Sequence, residues 1–106
     1  MDMLQYKIDF DQLAWETPIK GVRCKSVRYG DKQLRLIEYT QNMSPHWCSR
    51  GHCGLILEGE IEIAFKSATE QYKAGDGVFI PCGEKHRHRA RVITEPVKVI
   101  FVEDPS

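Results

Sequence analysis

The chain has 106 residues, 42% apolar and 28% charged, a composition that excludes a disordered polymer and buries enough surface to fold without disulfides. Its 15 Lys and Arg balance 15 Asp and Glu, so a net charge of zero gives no global pull toward nucleic acid or an anionic membrane. The longest aliphatic or aromatic run, Val99-Ile100-Phe101-Val102, is too short for a bilayer, and Met1 to Tyr6 holds no basic region leading into an apolar stretch. The expectation is therefore a cytoplasmic protein whose four cysteines (24, 48, 53 and 82) are thiols or metal ligands rather than a disulfide framework.

In chain order, residues 1–20 read as an N-terminal strand or arm, with Phe10, Leu13 and Trp15 available to cover this barrel or a partner's. Val22 to Tyr29 alternates apolar and cationic residues, and Gly30-Asp31-Lys32 turns the chain. Leu34 to Thr40 is a second strand. His52 to Glu58 and Ile61 to Phe65 flank Glu58-Gly59-Glu60, which reads as a hairpin turn with glycine supplying the positive φ. Gln71 to Ala74 runs into Gly75-Asp76-Gly77, and Val78 to Ile80 stops at Pro81. A strand from His86 to Ile93 and a last one from Val97 to Val102 are separated by Thr94-Glu95-Pro96. No apolar repeat has a helical period. About eight short strands with turn signals between them predict an all-β sandwich or small barrel, its core in residues 21–102.

Period 2 is clearest from Lys85 to Val92. Lys85, Arg87, Arg89 and Arg91 fall on one face, and His86, His88, Ala90 and Val92 on the other. The basic face reads as a solvated surface paired with Glu58, Glu60 or Glu62, not as a nucleic-acid patch.

Two stretches carry chemistry. In Pro45-His46-Trp47-Cys48-Ser49-Arg50-Gly51-His52-Cys53-Gly54, His46 and Cys48 project from the same face of an extended chain, Gly51 permits a bend, and His52 returns toward the same centre. Trp47, between two of them, should point outward, into solvent or a neighbouring subunit. In Gly75 to His86, a strand ends at Pro81, Gly83 makes a turn, and His86 opens the next strand.

Together these stretches resemble the paired motifs of the cupin superfamily. Gly75, Pro81, Gly83 and His86 match the second motif without a gap. In the first, Gly59 sets the register: His46 takes the first position, Cys48 stands for the second His, and His52 stands for the Glu. Thr40 replaces the leading Gly, and Ala90 the Asn after the last His. The resemblance implies one small double-stranded β-helix, or jelly-roll, domain over residues 1–106. It also implies one divalent transition metal ion held by His46, Cys48, His52 and His86, with a homodimer as the usual assembly.

A three-His, one-Cys set suits zinc, with iron(II) or nickel as alternatives. Closed, it is structural; with one residue standing back, it leaves a position for substrate. The plainer reading is a barrel that has lost its metal and fills a polar cavity with His and Cys. His88, inward beside His86, is the candidate proton shuttle or substrate contact, or simply a half-buried histidine at the mouth. A finger-like set of Cys48, Cys53, Cys82 and His86 competes, but Cys53 should face away from His52 and no knuckle spacing is present. Cys24 reads as a small core or surface residue. The functions left open are a metal-dependent dioxygenase, isomerase or hydrolase acting on a small molecule, a non-catalytic ligand or metal sensor or accessory module, and a structural dimeric barrel with a vestigial site. No partner helix of DNA-binding type accompanies the strands.

Overall fold

The computed structural model describes residues 6–104. A 3-10 turn, Phe10–Gln12, precedes β1 (Glu16–Ile19), β2 (Val22–Tyr29) and β3 (Lys32–Tyr39). Next come β4 (His52–Ala64), β5 (Thr69–Lys73) and β6 (Gly77–Ile80); a second 3-10 turn, Glu84–His86, leads into β7 (Arg89–Glu103). All pairings are antiparallel, in the order β1-β2-β3-β7-β4-β5, and β6 pairs with β4. No helix among the described residues is long and apolar enough to cross a membrane.

The expected hairpin at Glu58-Gly59-Glu60 is not there. β4 runs straight through it, and β7 runs through Thr94-Glu95-Pro96, so two long strands stand where four short ones were predicted. They pair from Cys53↔Val102 to Ile56↔Val99, slip register between Ile56 and Ile61, and pair again from Ile61↔Val92 to Ala64↔Arg89. The slip has a reason in the side chains. Ile56 and Ile61 are both buried, yet an odd spacing would put them on opposite faces of a regular strand. The irregular pairing between Ile56 and Ile61 resets the alternation. β7 makes the matching reset, from Val92 to Val97, directly opposite. Gly59 has φ +83°, and a Cβ there would lie 2.2 Å from the Pro96 carbonyl oxygen, so only glycine fits.

The core is aliphatic: Ile37, Ile56, Val97 and Val99 are fully buried, with Ile61, Ile63, Val78, Ile80, Val92 and Phe101 around them. The N-terminal segment covers its own sheet. Lys25 Nζ donates to the Phe10 carbonyl at 2.6 Å, and the Trp15 ring lies 4.0 Å from the Arg23 guanidinium. In the basic ladder, Lys85 sits in the second 3-10 turn, off the strand. Arg91 Nε meets Glu62 at 3.2 Å, and Arg87 and Arg89 each lie 5.0 Å from the Trp47 ring. Trp47 is half-exposed and faces these arginines of its own chain.

Candidate metal and ligand site

The loop between β3 and β4 and the residues just before β7 are joined by one pair of backbone hydrogen bonds. Cys48 N–H donates to the His88 carbonyl at 2.8 Å, and His88 N–H donates to the Cys48 carbonyl at 2.9 Å. Residues directly opposite in an antiparallel pair project from the same face, so this bridge sets the Cys48 and His88 side chains beside each other. His52, first residue of β4, completes the group: one donor atom each from Cys48, His52 and His88 lies within 4.8 Å of the others. Gly51 is buried in the approach to His52, where a Cβ would meet the Ile80 carbonyl oxygen at 2.5 Å, and its N–H donates to Cys82 Sγ at 3.1 Å.

Behind His52 stands a buried ion pair. Its Nδ1 lies 2.5 Å from Glu103 Oε2, and Glu103 is bound in turn by Arg35, Nε at 2.5 Å and a terminal nitrogen at 2.9 Å. Glu103 and Arg35 come from neighbouring strands, offset by one inward position, where Gln33↔Glu103 and Arg35↔Phe101 pair. The Phe101 ring stacks on the His52 imidazole at 4.8 Å.

These contacts set the protonation of the group. The His52 imidazole, and then the His88 ring beside it, hold the Cys48 thiol down to about 5, against the opposing effect of burial. Burial disfavours charge on His52, but its bonds to Cys48 and Glu103 outweigh that and raise its pKa. Burial likewise opposes the Glu103 carboxylate, yet His52 and Arg35 hold it down to about 2. Below the raised pKa of His52 and above that of Cys48, thiolate and carboxylate therefore face imidazolium and guanidinium.

His88 is different. Its Nδ1 is 3.1 Å from the His86 carbonyl oxygen, which can only accept, so Nδ1 carries the proton. Its Nε2 is buried with no hydrogen-bond partner of good geometry. A buried ring nitrogen without a hydrogen-bond partner beside a thiolate fits a metal ion, as does the carboxylate behind His52.

Of the four residues expected as ligands, Cys48 and His52 lie in this group. His46 is exposed, with Nδ1 3.2 Å from the Ser44 carbonyl, and His86 closes the second 3-10 turn. Neither belongs to the group, whereas His88 does. Cys53 is exposed on the outer face, and Cys24 lies in the core. Arg35 and Glu103 escaped the sequence reading, although each is two positions from an inward apolar residue, Ile37 and Phe101, and their charges are opposite.

The group opens on a cavity of about 760 Å³ inside the barrel, walled by Ile37, Ile56, Ile61, Val78, Val99 and Phe101 and reached past the exposed Pro18, Ile19, His46 and Trp47.

A family model described as the cupin domain matches residues 34–103, and the chain belongs to that family. Its barrel is the cupin jelly roll, as the two motifs implied. KdgF from a Halomonas species superposes with a TM-score of 0.70 at 21% identity over 91% of each chain. The polyketide cyclase RemF from Streptomyces resistomycificus gives 0.73 at 19% identity, over 95% of this chain and 80% of that one. A Rhizobium leguminosarum protein of unknown function gives 0.74 at 18% identity, over 98% of this chain and 100% of that one. At these identities the likeness is one of fold. No curated protein matches this chain.

Proposed function

We propose that the chain binds one divalent transition metal ion through Cys48, His52 and His88 and presents it to a small molecule held in the barrel cavity. The observation that carries this reading is the buried, unpartnered Nε2 of His88 beside a thiolate and a second imidazole. The set keeps Cys48 and His52 and takes His88 in place of His46 and His86. One thiolate with two imidazoles suits zinc before iron(II) or nickel, and three protein donors leave one position open. A metal ion there supplies Lewis acidity toward an oxygen of the bound molecule.

The chain's own groups do the rest. Glu103 fixes the His52 ring through Nδ1, and the His86 carbonyl does the same for His88. Arg35 keeps Glu103 ionised, and the aliphatic wall keeps water from competing. Metal analysis of protein purified without a nickel column should give about one equivalent of zinc, iron or nickel. Metal at trace level only would sink the assignment. Oxygen uptake by the iron(II)-loaded protein over thiols, diketones and phenolics separates a dioxygenase from a ligand-binding module.

A homodimer is the proposed assembly, formed through the outer face of the sheet. There Phe79, Cys53, Val102 and Leu34 form one cross-strand row, and Leu55, Ile100 and Leu36 the next. Phe79 is 81% exposed, which is costly for a phenylalanine on an uncovered sheet. The neighbouring row, Arg23, Glu38, Lys98 and Glu58, pairs its own charges, so an apolar copy of the same face is the complementary partner. Four unpaired cysteines support a reducing, cytoplasmic setting.

A further inference from the structure

The apolar inner wall of the cavity and the Tyr39 hydroxyl on it narrow the occupant. We propose that the cavity takes a compact, hydrocarbon-rich molecule bearing a single acceptor oxygen, such as a cyclic ketone, and that Tyr39 donates a hydrogen bond to that oxygen. This rests on the reading of the cavity as the chamber of the Cys48, His52 and His88 site, but it is tested without metal.

Three observations support it. The volume of about 760 Å³ accepts a bicyclic or tricyclic ligand. Its inner wall is made by side chains such as Ile37, Ile56, Ile61, Val78, Val99 and Phe101, which offer no hydrogen bonds. A polyhydroxylated ligand would leave the hydroxyls that face this inner wall unsatisfied, which disfavours sugars and sugar acids.

Tyr39 supplies the exception. It lies on β3 two positions beyond the inward Ile37, lines the cavity, and packs against the core. Among the described residues its hydroxyl makes no hydrogen bond, and it is not sealed away from the cavity. Burial raises its pKa, so the phenol keeps its proton and remains a donor. Tyr39 lines the same cavity as Cys48, His52 and His88. Of the other polar side chains on the lining, Arg35 is committed to Glu103, Ser49 to Glu84 and Asp104 to Lys32.

The test titrates the full chain, stripped with a chelator, with three probes: 1-tetralone, tetralin and glucuronate, followed by calorimetry and by the fluorescence of Trp47, which lines the cavity. Tetralone should bind at least about tenfold more tightly than glucuronate. Tyr39→Phe should weaken tetralone about fivefold and leave tetralin unchanged. Glucuronate binding as tightly as tetralone, or no binding of either bicycle, overturns the assignment of ligand class. Equal effects of Tyr39→Phe on both bicycles overturn the role of the hydroxyl. The comparison of probes on the unaltered protein stands even if the variant does not fold. A protein that fails to load metal but binds tetralone would remove the metal reading and leave this one in place.

Discussion

Glu103 binds His52 on one side and Arg35 on the other, and all of its side chain is out of solvent. A buried carboxylate held this way is worth most when whole. Glu103→Ala should destabilise the fold by about 3–5 kcal/mol in urea, because Arg35 is left without its counter-charge. Glu103→Gln, which keeps the shape, should cost less but still lower metal affinity about 10–100-fold, since the amide no longer fixes the His52 ring as a carboxylate does.

The thiol of Cys48 predicts a pH dependence. Its folded value of about 5 lies below that of a thiol in an unfolded chain. A depressed acid stabilises the fold fully above its unfolded value and loses that contribution as pH falls through the folded one. Metal-free protein should therefore lose the Cys48 contribution from about pH 8.5 down to about pH 5, and thiolate absorbance at 240 nm should fall with a midpoint near 5. His52 offsets the loss in part, because its raised pKa adds stability as pH falls toward its unfolded value. Cys48→Ser should flatten this part of the profile. Glu103, held to about 2, adds a second loss at lower pH, below about pH 4.

Substitution of each histidine in turn separates the two ligand sets. His52→Ala and His88→Ala should reduce bound metal to traces, while His46→Ala and His86→Ala retain it. Retention by His88→Ala with loss in His46→Ala would restore the set read from the motif positions.

Gly59→Ala should destabilise the protein by about 2 kcal/mol or more, because the positive φ and the carbonyls of Pro96 and Thr94 both oppose a Cβ. Thermal unfolding measures it. Gly30→Ala, where a Cβ would meet nothing within 4 Å, should cost less.

Phe79→Asp should convert the proposed dimer to a monomer by light scattering at micromolar concentration, with its far-ultraviolet dichroism unchanged. A wild-type monomer under those conditions would rule the outer face out as an interface.

Much of the fold was legible in the residues. β2 has the bounds the alternation gives, and the Gly, Pro, Gly and His of the second motif set its family. The bulge at Gly59 was legible only in part: the glycine marked a positive φ, but the switch from even to odd inward positions, Ile56 to Ile61, was the sign that the strand continues. Period 2 failed at His86 for a local reason. Glu84–His86 winds as a 3-10 turn, so the alternation that joins His88 to Ala90 and Val92 does not extend back to His86. Arg35 and Glu103 were invisible to a search for ligand types because their work is done on each other.

Cys48 and His88 are held together by two backbone hydrogen bonds outside any long ladder. Whatever occupies both side chains therefore also staples residues 40–51 to the lead-in of β7. Occupancy and loop order become one equilibrium, and the amide protons of Cys48 and His88 should exchange more slowly as the site fills.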